Sequence, residues 1–249
     1  FMKVKVTKVN GNNNNFVLLF KLDSPKNLIL NKINIKKLCK NNNCLVDGLL
    51  VLDYVNKNKI YLDYYNNDGT WETLCVNGLR CASLFIYQKY NQKISNITCG
   101  DGIHKTKIIN NDISVSMSEP KYVMDKISIA SYKGYYIDSG AKHFIIRINN
   151  SWPTREKLIT TAKIIRYNKK IFPRGINVNF YKVINKSTIE VVTYEKGVEN
   201  IVNSCASGSY ACAYHISRKS LNRNFLVINK GGNISIKFSN KLNNNYIIS

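Results

Sequence analysis

The sequence predicts an α+β chain built from two similar halves. Three observations point to this class. Strand-like and helix-like segments follow one another in the same order before and after Pro120. The run Gly11-x-x-x-x-Phe16-Val17-Leu18 has a counterpart in Gly140-x-x-x-Phe144-Ile145-Ile146. Each half then delivers a cysteine to the start of an apolar helical stretch, Cys75 in the first and Cys205 in the second. Duplication of this kind gives two facing domains. They are residues 1–119, carrying Cys75, and residues 120–249, carrying Cys205, with the last residues free to return to the first domain.

The elements follow in order. Residues 4–9 alternate polar and apolar side chains and residues 16–22 form a nearly continuous apolar run, so both read as strands joined by an Asn-rich turn. Residues 49–55 and 59–64 pair as a hairpin around Asn56-Lys57-Asn58. A helix is predicted over 79–90, then strands over 94–99, 105–109 and 113–117, separated by Asn, Gly and Asp turns. Pro120 stands in a polar stretch suited to a domain crossing. Beyond it come strands over 128–131, 135–137 and 144–148, a helix over 154–167, strands over 177–184 and 188–193, and a helix over 211–221 after Cys205.

Composition narrows the function classes. A chain of 249 residues with 44% hydrophobic content can bury one large core or two modest ones. The longest apolar runs, such as Phe16 to Phe20, fall far below the ~18 residues of a membrane-spanning helix, and no signal-peptide pattern opens the chain. A cytoplasmic enzyme without membrane contact is the expectation. The 7 cysteines are an odd number without compact spacing, which argues for reduced thiols rather than a disulfide framework. With no Cys-x-x-Cys pair and with His104, His143 and His215 scattered, no metal site is expected. The formal net charge of +22 invites a nucleic-acid reading. Its lysines are spread among Asn and Ile, however, and no arginine-rich stretch interleaves with aromatics as a stacking groove would. The charge is read as a consequence of biased base composition, with no specific nucleic-acid partner.

Both cysteines have the same flank. Glycine follows three residues later, in Cys75-Val76-Asn77-Gly78 and Cys205-Ala206-Ser207-Gly208, where it lets the chain turn tightly into the helix and leaves backbone N–H groups available. A thiol at a helix mouth meets partial positive charge, which lowers its pKa and favours an anionic ligand beside it. Two such thiols suggest one substrate flanked by two sulfurs, one removing a proton from a carbon and the other replacing it on the opposite face. For Cys39, Cys44, Cys81, Cys99 and Cys212 the expectation is a small core hydrophobe.

Six segments, in order, resemble the diaminopimelate epimerase family of cofactor-independent amino acid epimerases. They are Asn13-Asn14-Asn15-Phe16, Asp47-Gly48-Leu49-Leu50, the Cys75 motif with Asn66-Asn67-Asp68-Gly69 upstream, Gly140-Ala141-Lys142-His143, Phe172-Pro173-Arg174-Gly175-Ile176-Asn177-Val178-Asn179-Phe180, and Tyr194-Glu195-Lys196-Gly197-Val198-Glu199 leading to Ser204-Cys205. The resemblance implies two domains, each a mostly antiparallel curled sheet or barrel around a central helix, with the active site in the cleft between them. It also implies epimerisation of LL-diaminopimelate to the meso form, for lysine or peptidoglycan precursor synthesis, with no cofactor.

By the same resemblance Cys75 and Cys205 are the catalytic thiolate and thiol, and the substrate is a small dibasic dicarboxylic amino acid. Backbone N–H groups of Val76, Asn77, Ala206 and Ser207 hold its reacting carboxylate; Asn14, Asn66 and Asn177 contact it by side chain; Glu195 accepts from an ammonium and Lys196 faces the distal carboxylate. His143 is read as a structural residue of its turn. A homodimer is left open. Several positions depart from the family pattern. Lys196 replaces an arginine, a point charge in place of a bidentate fork. Ala141 replaces an asparagine, Gly48 a frequent glutamine, Val76 and Ala206 the glycines after each cysteine, and Val202 a threonine, while the family's last returning strand is not recognised before Ser249. These departures keep open a related racemase acting on another amino acid. An inactive, basic nucleic-acid-binding protein is the alternative from another class.

Overall fold

The computed structural model describes residues 4–40, 46–129, 131–239 and 245–249. Cys44 lies outside the described residues. The chain divides into two compact units, the first ending at Ser116 and the second running from Met117 to Ile247.

In the first unit β1 (Thr7–Gly11) and β2 (Asn14–Phe20) form an antiparallel hairpin. Its turn puts Asn12 and Asn13 at positive φ (52° and 58°), a region asparagine tolerates better than other side chains. β3 (Gly48–Asn56) runs parallel to β2, with Gly48 opposite Phe16, and a parallel pair needs a crossover. The crossover carries α1 (Lys32–Cys39), capped by the Asn31 side chain on the Asn34 N–H. α1 drops Ile35 and Cys39 onto Val17, Leu19, Leu49 and Val51. β4 (Lys59–Asn66) returns antiparallel to β3, β5 (Trp71–Glu72) adds two residues to its end, and α2 (Val76–Tyr90) follows. β6 (Ile94–Cys99) then pairs parallel with β4, and β7 (Gly102–Ile109) and β8 (Asp112–Met117) close an antiparallel meander.

The second unit repeats most of these pairings. β9 (Lys121–Ile129) precedes β10 (Tyr132–Asp138) and β11 (Lys142–Arg147), which form antiparallel pairs. α3 (Arg155–Arg166) fills the crossover to β12 (Asn177–Asn185), parallel to β11 with His143 opposite Asn177. β13 (Thr188–Glu195) and β14 (Asn200–Val202) match β4 and β5, and α4 (Ala206–Ser217) matches α2. β15 (Asn224–Asn229) joins β13 in parallel and β16 (Gly232–Lys237) turns back on it. A short last strand, β17 (Asn245–Ile248), ends the chain. Each sheet is therefore mixed, with antiparallel hairpins stitched by parallel pairs.

α2 touches β1 at one side of its sheet and β7 at the other, and α4 touches β11 through β13 together with β15 and β16. One helix can meet strands that far apart only if the sheet curls around it. Leu79, Ala82 and Ile86 of α2 are fully buried, and every residue of α4 except Ile216 is buried. The fold class is thus the α+β pair of curled sheets around a central helix that the motifs implied.

Some boundaries move. The first strand runs over Thr7–Gly11 rather than 4–9, and β9 begins at Lys121, well before the expected strand over 128–131. α4 starts immediately after Cys205 and stops at Ser217, four residues short of Leu221, which is almost fully exposed. α1, β5, β14, β15, β16 and β17 add to the elements expected.

Candidate active site

Cys75 is the residue that caps α2. Its backbone is extended (φ −129°, ψ 101°) and its sulfur accepts the Gly78 N–H at 3.4 Å, which ties the thiol to the first turn. A Cβ on Gly78 would run into Leu50, so the glycine lets the helix start press against β3. Beside the thiol lies a chain of amides. Asn77 donates through Nδ2 to Asn14 Oδ1, Asn14 Nδ2 donates to Asp47 Oδ2 at 3.2 Å, and the Asn15 N–H reaches the same oxygen at 2.8 Å. Arg80 Nη2 donates to Asn77 Oδ1 at 3.0 Å and to Asn12 Oδ1 at 2.9 Å. Asn14, Asn77 and Arg80 are all buried.

Asn66 ends β4 opposite Gly48 and is held by the Asn67-Asp68-Gly69 turn, where its N–H donates to the Thr70 carbonyl at 2.8 Å. Gly69 adopts φ 82° to close that turn. Asn66 Nδ2 donates to Thr70 Oγ1 at 3.0 Å. Its Oδ1 is buried and meets no donor among the described residues.

Cys205 caps α4 with nearly the same backbone (φ −135°, ψ 103°) but a different set of partners. Ser207 Oγ lies 3.5 Å from its sulfur and accepts from His143 Nε2 at 3.1 Å. Asn179 Nδ2 donates to His143 Nδ1 at 3.0 Å, while Asn179 Oδ1 accepts from Thr193 Oγ1 at 2.8 Å. With Nδ1 an acceptor, the imidazole carries its proton on Nε2. Burial drives the His143 pKa down to about 3, so it stays neutral near pH 7. The line from Asn179 through His143 and Ser207 to Cys205 can end with the serine O–H directed at sulfur.

At Cys205 the expected lowering of thiol pKa is reversed. Burial, with the Glu195 carboxylate adding to it, pushes the thiol up to about 12 against the Ser207 hydroxyl and the N–H groups of Gly208 and Ser207. The helix mouth is present, but desolvation of the thiolate outweighs it. Among the other cysteines, Cys39, Cys81 and Cys212 are buried and Cys99 is partly buried; burial raises all four, Cys39 to about 12 and Cys81 to about 11.

The turn after β13 carries Glu195 and Lys196. Asn177 Oδ1 accepts the Lys196 N–H at 2.9 Å, and Asn177 Nδ2 donates to the Lys142 carbonyl at 3.1 Å. The turn closes with Gly197 at φ 92° and Glu199 at φ 55°, the Glu199 N–H donating to the Glu195 carbonyl at 2.8 Å. The Glu199 carboxylate accepts from Arg166 Nη2 at 2.6 Å, from Gly197 N–H at 3.0 Å and from the Tyr167 hydroxyl at 2.9 Å. Arg166 sits at the end of α3, so the crossover helix anchors this turn.

In the first unit Val76 and Asn77 open the helix that Cys75 caps, and Asn77 binds Asn14; in the second, Ala206 and Ser207 open the helix that Cys205 caps, the Glu195 charge acts on its thiol, and Asn177 binds Lys196. Sequence reasoning missed Arg80, Asn179, Arg166 and Glu199 as members of these networks. Arg80 alone carried a signal, a charged side chain inside an apolar helical stretch. No three His, Cys, Asp or Glu side chains cluster as metal donors among the described residues.

A diaminopimelate epimerase from Archaeoglobus fulgidus is 30% identical over 258 aligned positions, which cover 96% of this chain and 90% of the relative. The chain belongs to the diaminopimelate epimerase family. The family model of that description matches residues 135–248. A second family member, from Hydrogenobaculum sp., is 26% identical over 83% of this chain and 80% of its own length. Among solved structures, a hydroxyproline epimerase from Agrobacterium vitis superposes with a TM-score of 0.77 at 9% identity, covering 98% of this chain and 88% of that one. A protein described as a predicted epimerase from Pseudomonas aeruginosa gives 0.73 at 5% identity, with 99% and 95% covered. At such identities these structures share the fold with the family member described here. Among the described residues, no helix is long and apolar enough to cross a membrane.

Proposed function

We propose that the chain epimerises LL-diaminopimelate to meso-diaminopimelate with Cys75 and Cys205 as the two acid–base groups and without a cofactor. The observation that carries this reading is that both cysteines are the capping residues of equivalent helices in a duplicated fold, in a chain 30% identical to a diaminopimelate epimerase. One sulfur, as thiolate, takes the α-proton and becomes a thiol. The electron pair left on carbon delocalises into the carboxylate, and the other thiol delivers a proton to the opposite face, becoming the thiolate. The first N–H groups of α2 and α4 (Val76, Asn77, Ala206, Ser207) stand at the positive ends of the two helices and suit the carboxylate as its charge grows. An oxyanion donor of this kind contributes about 2.7 to 4 kcal/mol. Asn14, Asn66 and Asn177 hold the substrate, with the Asn66 Oδ1 offered to an ammonium. Glu195 accepts from an ammonium, and Lys196 meets the distal carboxylate. The setting is cytoplasmic synthesis of lysine or a peptidoglycan precursor, which consumes the meso product.

The test is deuterium incorporation at the α-carbon of LL-diaminopimelate in heavy water, with Cys75→Ala and Cys205→Ala alongside. Exchange by the unaltered chain with loss in both variants is the expected result, and exchange that survives both substitutions overturns it. A second reading, a racemase of another amino acid, is favoured by Lys196 and Ala141 standing where the family carries arginine and asparagine. It predicts exchange on an amino acid lacking the distal carboxylate and none on diaminopimelate.

A further inference from the structure

Arg80 is a cation buried without a counter-ion among the described residues. It is 5% exposed, and its only hydrogen bonds among the described residues run from Nη2 to two neutral amides, Asn12 and Asn77. Its Nε is buried with no acceptor, and no carboxylate of the described residues lies within ion-pair distance. An uncompensated buried charge is costly, so the acids whose charge reaches it bear on its role.

The groups whose charge acts on Arg80 are few. Burial lowers the guanidinium's proton affinity, and Cys81, Cys75 and Asp112 raise it in turn. Cys81, on the same helix, is buried and pushed up to about 11, so it stays a neutral thiol at ordinary pH. Asp112, at the start of β8, is exposed and solvated. Asp47 belongs to the far end of the amide chain, spent on Asn14 and Asn15. Cys75 remains, among the described acids, as the one whose ionisation acts on the cation. It caps the helix whose fifth residue is Arg80, and Asn77 in the first turn is hydrogen-bonded to the guanidinium.

We infer that Arg80 is a positioning residue of the first half-site, whose buried charge favours the Cys75 thiolate while its fork fixes Asn77 and, through Asn77, Asn14. This deepens the proposed function and rests on it for the direction of proton flow. Cys75 is then the sulfur that rests ionised and Cys205 the sulfur that rests protonated. A turnover moves one proton onto Cys75 and one off Cys205, and the guanidinium favours the return of the proton from Cys75 before the next cycle.

The experiment needs no substrate, so it fails independently of the deuterium assay. The rate of Cys75 carboxamidomethylation by iodoacetamide is followed by peptide mass mapping from pH 6 to 10 in the unaltered chain, Arg80→Lys and Arg80→Met. Arg80→Met is expected to move the midpoint of the profile up by about one pH unit or more and to slow the reaction about tenfold at pH 7, as loss of a neighbouring cation does. Arg80→Lys, which keeps the charge and loses the fork, is expected to stay nearer the unaltered profile. Should Arg80→Met not fold, Arg80→Gln replaces it, neutral but able to reach the two amides. A folded neutral variant with an unshifted Cys75 profile overturns the inference, and so does an equal shift in Arg80→Lys and the neutral variant.

Discussion

Gly208 and Gly78 occupy equivalent places, third after each cysteine, yet a methyl group at the two positions should have unequal consequences. At Gly78 the added Cβ runs into a methyl of Leu50, the flexible end of an apolar side chain. At Gly208 it runs into Asn179 Oδ1 and comes within 3.3 Å of the Cys205 sulfur. Asn179 is fully buried and pinned at both ends, by Thr193 at 2.8 Å and by His143 at 3.0 Å. Crowding an apolar core costs about 1–3 kcal/mol, and this applies to both sites. Gly208→Ala must in addition break one of the Asn179 bonds and strand a buried partner, about 1–3 kcal/mol more. The gain in helix propensity from glycine to alanine is common to both and cancels. The expected difference is about 2 kcal/mol. With a urea m-value of about 2 kcal/mol/M, that is a midpoint about 1 M lower for Gly208→Ala than for Gly78→Ala. Urea titration followed by circular dichroism reads it directly. Equal midpoints would refute the idea that the Asn179–His143–Ser207 line is a rigid support of the second half-site.

Further outcomes are expected elsewhere. Both His104 nitrogens face acceptors, Asp101 Oδ1 at 3.0 Å and the Ser116 carbonyl at 2.7 Å; burial lowers its pKa, but the bonds and charge of Asp101 raise it further, for a net rise above 6.5. A raised folded pKa gives stability that is complete below the unfolded value and lost as pH rises through the folded one. The thermal midpoint should therefore fall as pH rises above the free imidazole value, and Asp101→Asn should flatten that fall; parallel profiles would exclude the pair as its source. Glu199→Gln should leave Arg166 without its carboxylate and cost roughly 2–3 kcal/mol, less than a fully buried pair because Glu199 is partly exposed. It should also raise KM for diaminopimelate more than it lowers kcat, and an unchanged KM would separate the turn from substrate binding. Lys196→Arg should tighten diaminopimelate binding by restoring a bidentate partner, and unchanged or weaker affinity would remove Lys196 from that role.

Legibility in the sequence followed the range over which each feature is encoded. The sequence reading matches β6 to the residue and the hairpin of β3 and β4 nearly so, because period-two burial in β6 and β4, a continuous apolar run in β3 and an Asn-rich turn are local. β15 and β16 carry the same period, with Phe225, Val227, Ile234 and Ile236 buried and their neighbours facing out, but Asn and Lys dilute it to short pieces. α1 buries only Ile35 and Cys39, an i, i+4 pair too sparse to mark a helix. β5 and β14 are two and three residues long and exist only through their neighbours. The cysteines could be found because a thiol, a glycine three residues on and an apolar stretch lie together in sequence. Arg166 and Glu199 meet across 33 residues, and Asn179 and His143 across 36, so neither pairing leaves a local trace.

The duplicated plan makes the differences between the halves informative. Register sets Gly48 beside Asn66 in the first unit, and the same register extended by one step sets Asn177 beside Glu195 in the second. The neutral amide of Asn66 is thus matched by the Glu195 carboxylate, whose charge acts on the Cys205 thiol. Under each glycine the first half has Leu50, which is inert, and the second has Asn179, which feeds a hydrogen-bond line. The first thiol has an arginine buried one turn along its helix; at the matching place in the second half stands Tyr210, neutral and buried. Two of these changes, the Glu195 carboxylate and the absence of a buried arginine, favour a sulfur that keeps its proton in the second half, while the hydrogen-bond line through Asn179 and Ser207 works against them. Two identical half-sites would hold their protons equally, and a catalyst of this type needs one base and one acid at the moment the substrate arrives.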